Sequence, residues 1–232
     1  MSKSQAISAN TVPAENQINA NKFVTYEGSI TSKNRILFLG NSITRHEPKI
    51  EIGWENDCGM SASCKDKDYV HRLMQKVYDI GSSASCCITQ LAEWERNYWD
   101  NRILGDYYSE VPSYQPDIII VRVVENVPAD KLSVYSFADA YEKMVDFFNE
   151  NNKAKIILTT SFWYAGERDD AIRSVANKCG YPLVELGHLG DMDEMKAIGL
   201  FEHDGVAAHP GDKGMEAIAE AIWPVLKGFI KR

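Results

Sequence analysis

One alternation restricts the fold of this chain more than any other feature. Short uninterrupted apolar runs recur along it, separated by stretches whose apolar residues fall at helical spacing. Ile36-Leu37-Phe38-Leu39 is one such run, ended by Gly40, and Ile118-Ile119-Ile120-Val121 is another. A strand that is apolar on both faces lies between two covering layers, as in a parallel sheet flanked by helices. Strands are expected at residues 36–39, 85–89, 117–123, 155–160 and 182–186. Val70, Leu73, Met74 and Val77 make a helical stripe closed by Gly81, and Phe137, Tyr141, Met144 and Phe148 make a second. Ile172, Val175, Ala176 and Cys179 make a third, ended by Gly180. A last helix from about Lys213 turns Met215, Ile218, Ile222, Leu226 and Phe229 inward, and Pro224 is expected to kink it or end its regular hydrogen bonding. Together these elements describe a three-layer α/β/α sandwich around a mainly parallel five-stranded sheet.

The length, 232 residues, suits one such domain. Residues 1–22 are rich in Ser, Asn, Ala and Gln without periodicity and read as a flexible arm, leaving 23–232 as a single α/β domain. No apolar run is long enough to span a bilayer, so no membrane partner is expected. The first residues lack the apolar core of a signal peptide, so the chain as written reads as cytoplasmic. A native export signal replaced by a new Met would leave the same sequence. The net charge is −8, from 33 acidic and 25 basic residues, and no basic stripe offers a phosphate footprint, so nucleic acid is not an expected partner. Cys58, Cys64, Cys86, Cys87 and Cys179 are odd in number and lack a CxxC spacing. They read as reduced thiols rather than a disulfide framework or zinc site, with a Cys58–Cys64 pair left open.

In open α/β sheets ligands bind beyond the carboxyl ends of the strands, which filters the candidate residues. Three post-strand segments pass. Gly40-Asn41-Ser42-Ile43-Thr44 follows the first strand; its turn can expose backbone N–H groups to an oxyanion and present Ser42 as a nucleophile, or simply cap a helix. Arg122-Val123-Val124-Glu125-Asn126 ends the third strand, where the Asn126 amide can donate to an oxyanion or serve as a turn residue. His203-Asp204-Gly205-Val206-Ala207-Ala208-His209-Pro210-Gly211-Asp212 precedes the last helix and offers His209 as general base, or as a surface histidine, with Asp212 as a helix cap.

In this chain order the three segments resemble the SGNH (GDSL-type) hydrolases, which carry a serine after the first strand, a glycine after the second, an asparagine after the third and a late histidine. The resemblance spans about residues 35–229 and implies a flavodoxin-like fold and hydrolysis of small acyl esters through an acyl-enzyme, with no metal or organic cofactor. It implies Ser42 as nucleophile, His209 as base, and an oxyanion hole built from the Ser42 N–H, a second-block N–H and Asn126. The chain departs from the pattern in two places. The usual acid position, three residues before the histidine, is Val206; Asp204 is the expected substitute, with Glu202 or a backbone carbonyl as alternatives. The second-block glycine is absent, and spacing from the strand points to Glu95 as the donor, its carboxylate paired with Arg96 or Arg122. Val124 likewise stands where the third block usually has glycine.

Trp54, Trp94, Tyr98, Trp99 and Trp163 fall near strand ends or loops, where they could stack on sugar rings or pack in the core. An acetylated carbohydrate, or another small ester, is therefore the expected substrate. Two rivals remain: an inactive ligand-binding member of the same fold, and a metal-dependent hydrolase using His203, Asp204, His209 and Asp212. The sequence is silent on oligomeric state.

Overall fold

The computed structural model describes residues 23–151 and 153–232. The expected arm, residues 1–22, lies outside them. The described residues form a three-layer α/β/α structure around one six-stranded sheet. In chain order its elements are β1 (Val24–Glu27), β2 (Asn34–Gly40), α1 (Tyr69–Asp79), β3 (Ala84–Gln90), α2 (Ala92–Arg96), α3 (Arg102–Tyr108) and β4 (Ile118–Arg122). They continue with α4 (Phe137–Phe148), β5 (Lys155–Thr159), α5 (Glu167–Cys179), β6 (Leu183–Val184), α6 (Asp204–Ala207) and α7 (Asp212–Phe229). The sheet order is β1-β3-β2-β4-β5-β6, and every pairing is parallel except that of β1 with β3.

The five expected strands are β2 to β6, and β1 is a sixth. It adds an antiparallel edge, with Val24 and Tyr26 buried and Thr25 and Glu27 half-exposed. Four residues of alternating burial, directly after a polar stretch, give too short a pattern to stand out in the sequence. The fifth expected strand shortens to Leu183–Val184.

Alternate residues of each central strand feed two cores. Ile36, Phe38, Ile118 and Ile120 face α1 and α7, meeting Leu73, Val77, Ile218 and Ile222. Leu37, Leu39, Ile119 and Val121 face α4 and α5, meeting Tyr141, Met144, Ile172 and Val175. Each such fully buried aliphatic or aromatic side chain contributes roughly 1.5–3 kcal/mol. Asp68 caps α1 by accepting the His71 N–H, and Gly180 closes α5 in the left-handed conformation. The helix α7 runs on through Pro224 to Phe229, its regular hydrogen bonding interrupted at the proline. Proline removes the N–H that would bond Glu220, but both residues lie on the exposed side, where water can hydrate the freed carbonyl.

All five cysteines are free thiols, so the Cys58–Cys64 pair does not form. No helix among the described residues is long and apolar enough to cross a membrane.

Candidate active site

Three strand ends set the floor of the site. Gly40 pairs with Gln90 on one side and Arg122 on the other, so the loops leaving β2, β3 and β4 start from one level. At Gly40 the turn requires glycine: a Cβ there would lie 1.7 Å from Thr44 Oγ1. Thr44 is buried and shares a 2.8 Å hydrogen bond with the Tyr69 hydroxyl, which fixes the turn carrying Ser42. Ser42 is half-buried, its carbonyl accepts the Met60 N–H, and among the described residues no acceptor engages its own N–H.

Ser42 Oγ lies 2.8 Å from His209 Nε2. His209 Nδ1 lies 2.6 Å from the Gly205 carbonyl oxygen, which can only accept, so Nδ1 carries the proton and Nε2 presents its lone pair to the serine. Trp163 packs edge-on against the imidazole, with ring centroids 5.3 Å apart. Burial pushes the His209 pKa down to about 4; the Gly205 carbonyl and Glu125 favour the proton, but Arg122 and His46 oppose it.

The expected acid is therefore corrected. Asp204 opens the four-residue α6 and is exposed, as is Glu202, while the Nδ1 partner is the carbonyl of Gly205. Val206, at the usual acid position, is buried among apolar side chains including Met215 and Ile218. The backbone-carbonyl alternative is the one the geometry presents.

Glu95 is corrected as well. Its N–H donates to the Leu91 carbonyl at the start of α2, so it is engaged away from any oxyanion. Its fully buried carboxylate instead accepts from three groups: the Val124 N–H, the Asn41 amide at 2.9 Å and the Asn126 amide at 2.6 Å. The expected pairing with an arginine is indirect. Arg122, fully buried, donates to Glu125 at 2.7 Å and to the Asn41 side-chain oxygen Oδ1 at 2.5 Å. Glu125 also accepts the Phe162 N–H and the Asn41 amide. Arg96 lies 3.9 Å from Glu93 instead. Burial and the neighbouring Glu125 charge push Glu95 above the usual carboxylate range, against the pull of its three donors. Burial would raise Glu125 too, but the adjacent Arg122 guanidinium brings it below that range.

A cleft of about 220 Å³ opens over Ser42 and His209. Asn126 and Ala92 line it together with Ser42 and His209. The Ala92 N–H donates to the Gln90 side chain at 3.1 Å. His46, Gln90, Ala92 and Met60, which also line the cleft, were missed by sequence reasoning; only the post-strand positions of Gln90 and Ala92 could have pointed to two of them.

The remaining candidates disperse. Trp54, Trp94 and Tyr98 are core residues, and Trp99 stacks on Tyr135. His203 caps α6, and Asp212, rather than capping α7, accepts the N–H and hydroxyl of Ser63 at 2.8 and 2.7 Å. His203, Asp204, His209 and Asp212 do not form a ligand set, and among the described residues no three His, Cys, Asp or Glu side chains are grouped to hold a metal ion.

No family model and no curated protein matches the sequence. Solved structures do. A protein assigned to the GDSL-like lipases from Bacteroides ovatus aligns over 85% of this chain and 100% of its own, at 16% identity and a TM-score of 0.57. One from Bacteroides uniformis, similarly assigned, aligns over 85% and 97%, at 15% identity and a TM-score of 0.55. An active-site mutant of a family two carbohydrate esterase from Clostridium thermocellum, in complex with a cello-oligosaccharide, gives 14% identity and a TM-score of 0.53. That match covers 85% of this chain but 64% of the esterase, so the chain spans just under two thirds of its length. The fold of this chain is that of the SGNH hydrolases.

Proposed function

We propose that this protein is an esterase-type serine hydrolase that removes small acyl groups, acetyl foremost, from a carbohydrate through an acyl-enzyme. The observation that carries the reading is the 2.8 Å contact of Ser42 Oγ with a His209 Nε2 whose tautomer is set by the Gly205 carbonyl. As Ser42 Oγ bonds to the ester carbonyl carbon, its proton passes to Nε2. The oxyanion takes up the Ser42 N–H and the Asn126 amide, with the Ala92 N–H as the second-block donor once the Gln90 side chain turns away. The imidazolium then protonates the leaving alcohol as the ester C–O bond breaks. A water molecule, deprotonated by Nε2, attacks the acyl-serine; the carboxylic acid leaves and Ser42 regains its proton.

The cleft supports a short acyl group, since its apolar lining is confined to side chains such as Ile52, Met60 and Val206. The polar wall of His46, Gln90, Arg96 and Asn126, with Trp163 beside His209, supports a hydroxyl-rich alcohol. The carbohydrate esterase among the structural neighbours supports the same class. The test is hydrolysis of p-nitrophenyl acetate, then of acetylated sugars, by wild type and Ser42→Ala, with and without EDTA. Turnover that resists the chelator and disappears in the variant is expected. Turnover that survives Ser42→Ala, or none in the wild type, would overturn the reading.

A further inference from the structure

The buried carboxylate of Glu95 has no part in the proton transfers above, yet from α2, after β3, it reaches the loops that follow both β2 and β4. Its Oε1 accepts the Val124 N–H and the Asn41 amide, and its Oε2 accepts the Asn126 amide at 2.6 Å. Val124 has φ 135°, in the left-handed half of conformational space that a β-branched residue avoids. Strain of this kind costs about 1–3 kcal/mol and persists only where surrounding contacts over-determine it. Here the contact is the Glu95 oxygen on the Val124 N–H, and the distorted residue lies two positions before Asn126.

Asn126 Nδ2 has two hydrogens, and a carboxylate accepting one of them fixes the direction of the other. A charged acceptor makes that bond short and directional. Asn41, next to Ser42, donates to the same Oε1 and to a Glu125 oxygen. We infer that Glu95 is a positioning residue: its carboxylate holds the Asn126 amide and the strained Val124 backbone so that the second Asn126 N–H points into the cleft over Ser42. In this chain a side chain from α2 thus does what a glycine at position 124 would otherwise do through backbone freedom alone. The inference rests on the esterase reading for its kinetic consequence, though not for its geometry.

Three variants test it: Glu95→Gln, Asn126→Ala and the pair combined. A glutamine presents one acceptor where the carboxylate presents two, and turns an N–H₂ toward either Asn126 or Val124. Loss of one oxyanion donor typically costs about 10²–10³-fold in kcat. Glu95→Gln and Asn126→Ala should each fall in that range with KM within about threefold, and the double variant should lose little beyond Asn126→Ala, because both remove one arrangement. Losses that multiply, or a Glu95→Gln kcat within threefold of wild type, would overturn the role. A second measurement needs neither turnover nor a folded Glu95 variant. The Asn126 side-chain amide, assigned by its absence in Asn126→Ala, should give a strongly downfield, slowly exchanging proton in wild type. An ordinary, averaged amide resonance would refute the inference, whereas absent ester hydrolysis with that resonance present would sink the esterase reading alone.

Discussion

His209 Nδ1 faces the carbonyl oxygen of Gly205 at 2.6 Å, four residues earlier and inside the same turn of chain. A carbonyl fixes the tautomer as well as a carboxylate would, but it carries only a partial charge to stabilise the imidazolium. The base is therefore oriented firmly and protonated reluctantly, with its pKa pushed down to about 4 by burial.

The pH profile follows from that value. In the proposed mechanism the neutral imidazole is the active form, so kcat/KM should stay flat as the pH falls through 6.5 and halve only near pH 4. A limb near 6.5 would show that the ring is not desolvated. Asp204→Asn should leave the profile and rate within about threefold, because the exposed Asp204 side chain is not the Nδ1 partner. A hundredfold loss would restore Asp204 to the site.

Trp163 holds the imidazole from the side. Trp163→Ala should lower kcat about tenfold by letting His209 leave its contact with Ser42, since small misplacements of reacting groups are costly. Trp163→Phe should recover most of the rate. Steady-state kinetics on both variants decide this, and a change confined to KM would assign Trp163 to substrate contact instead.

Away from the site, His71 bridges Asp68 at 2.7 Å and Glu27 at 3.2 Å. Burial disfavours its charge, but these two hydrogen bonds outweigh it and hold its pKa up at about 9. Because that folded value is raised, the contribution to stability is complete below about pH 6.5 and is lost as pH rises through 9. Glu27 is held down at about 2, where burial is outweighed by His71 and Lys65, so its contribution is complete above 4.5 and is lost as pH falls toward 2. The unfolding free energy should fall by roughly 2–3 kcal/mol between pH 6.5 and 9.5, a slope that His71→Gln removes in denaturant titrations.

Gly40→Ala should cost about 1–3 kcal/mol, because the added methyl overlaps Thr44 and forces the Ser42 turn to shift. Thermal unfolding measures the first effect and esterase turnover the second. The double variant Gly40→Ala, Thr44→Ser should recover little, since the overlap with Oγ1 remains.

The placing of Ser42 and Asn126 was legible because strand ends can be read from apolar runs, and the family resemblance joined His209 to them. The acid partner was not. Gly205 acts through its carbonyl, which every residue has, so no side chain signals it, and the eye goes to the neighbouring Asp204. Glu95 was found but given the wrong role. Its partners Asn41, Val124 and Asn126 belong to loops separated in sequence, and a helix as short as Ala92–Arg96 gives no periodicity to show which way its side chains point. The positive φ of Val124 is equally silent, since a β-branched residue advertises extended backbone.

One short loop joins the segments that carry Ser42 and His209. The Met60 N–H bonds the Ser42 carbonyl, the Ser61 hydroxyl bonds the Val206 carbonyl at 2.6 Å, and Ser63 is tied to Asp212 at the start of α7. The Ser42 turn, the segment before His209 and the last helix are thus fastened to a single stretch of five residues, 59–63. A protease nick or an inserted residue there would loosen the Ser42 and His209 segments together while leaving the sheet paired, a change that the strand signal of circular dichroism would not see.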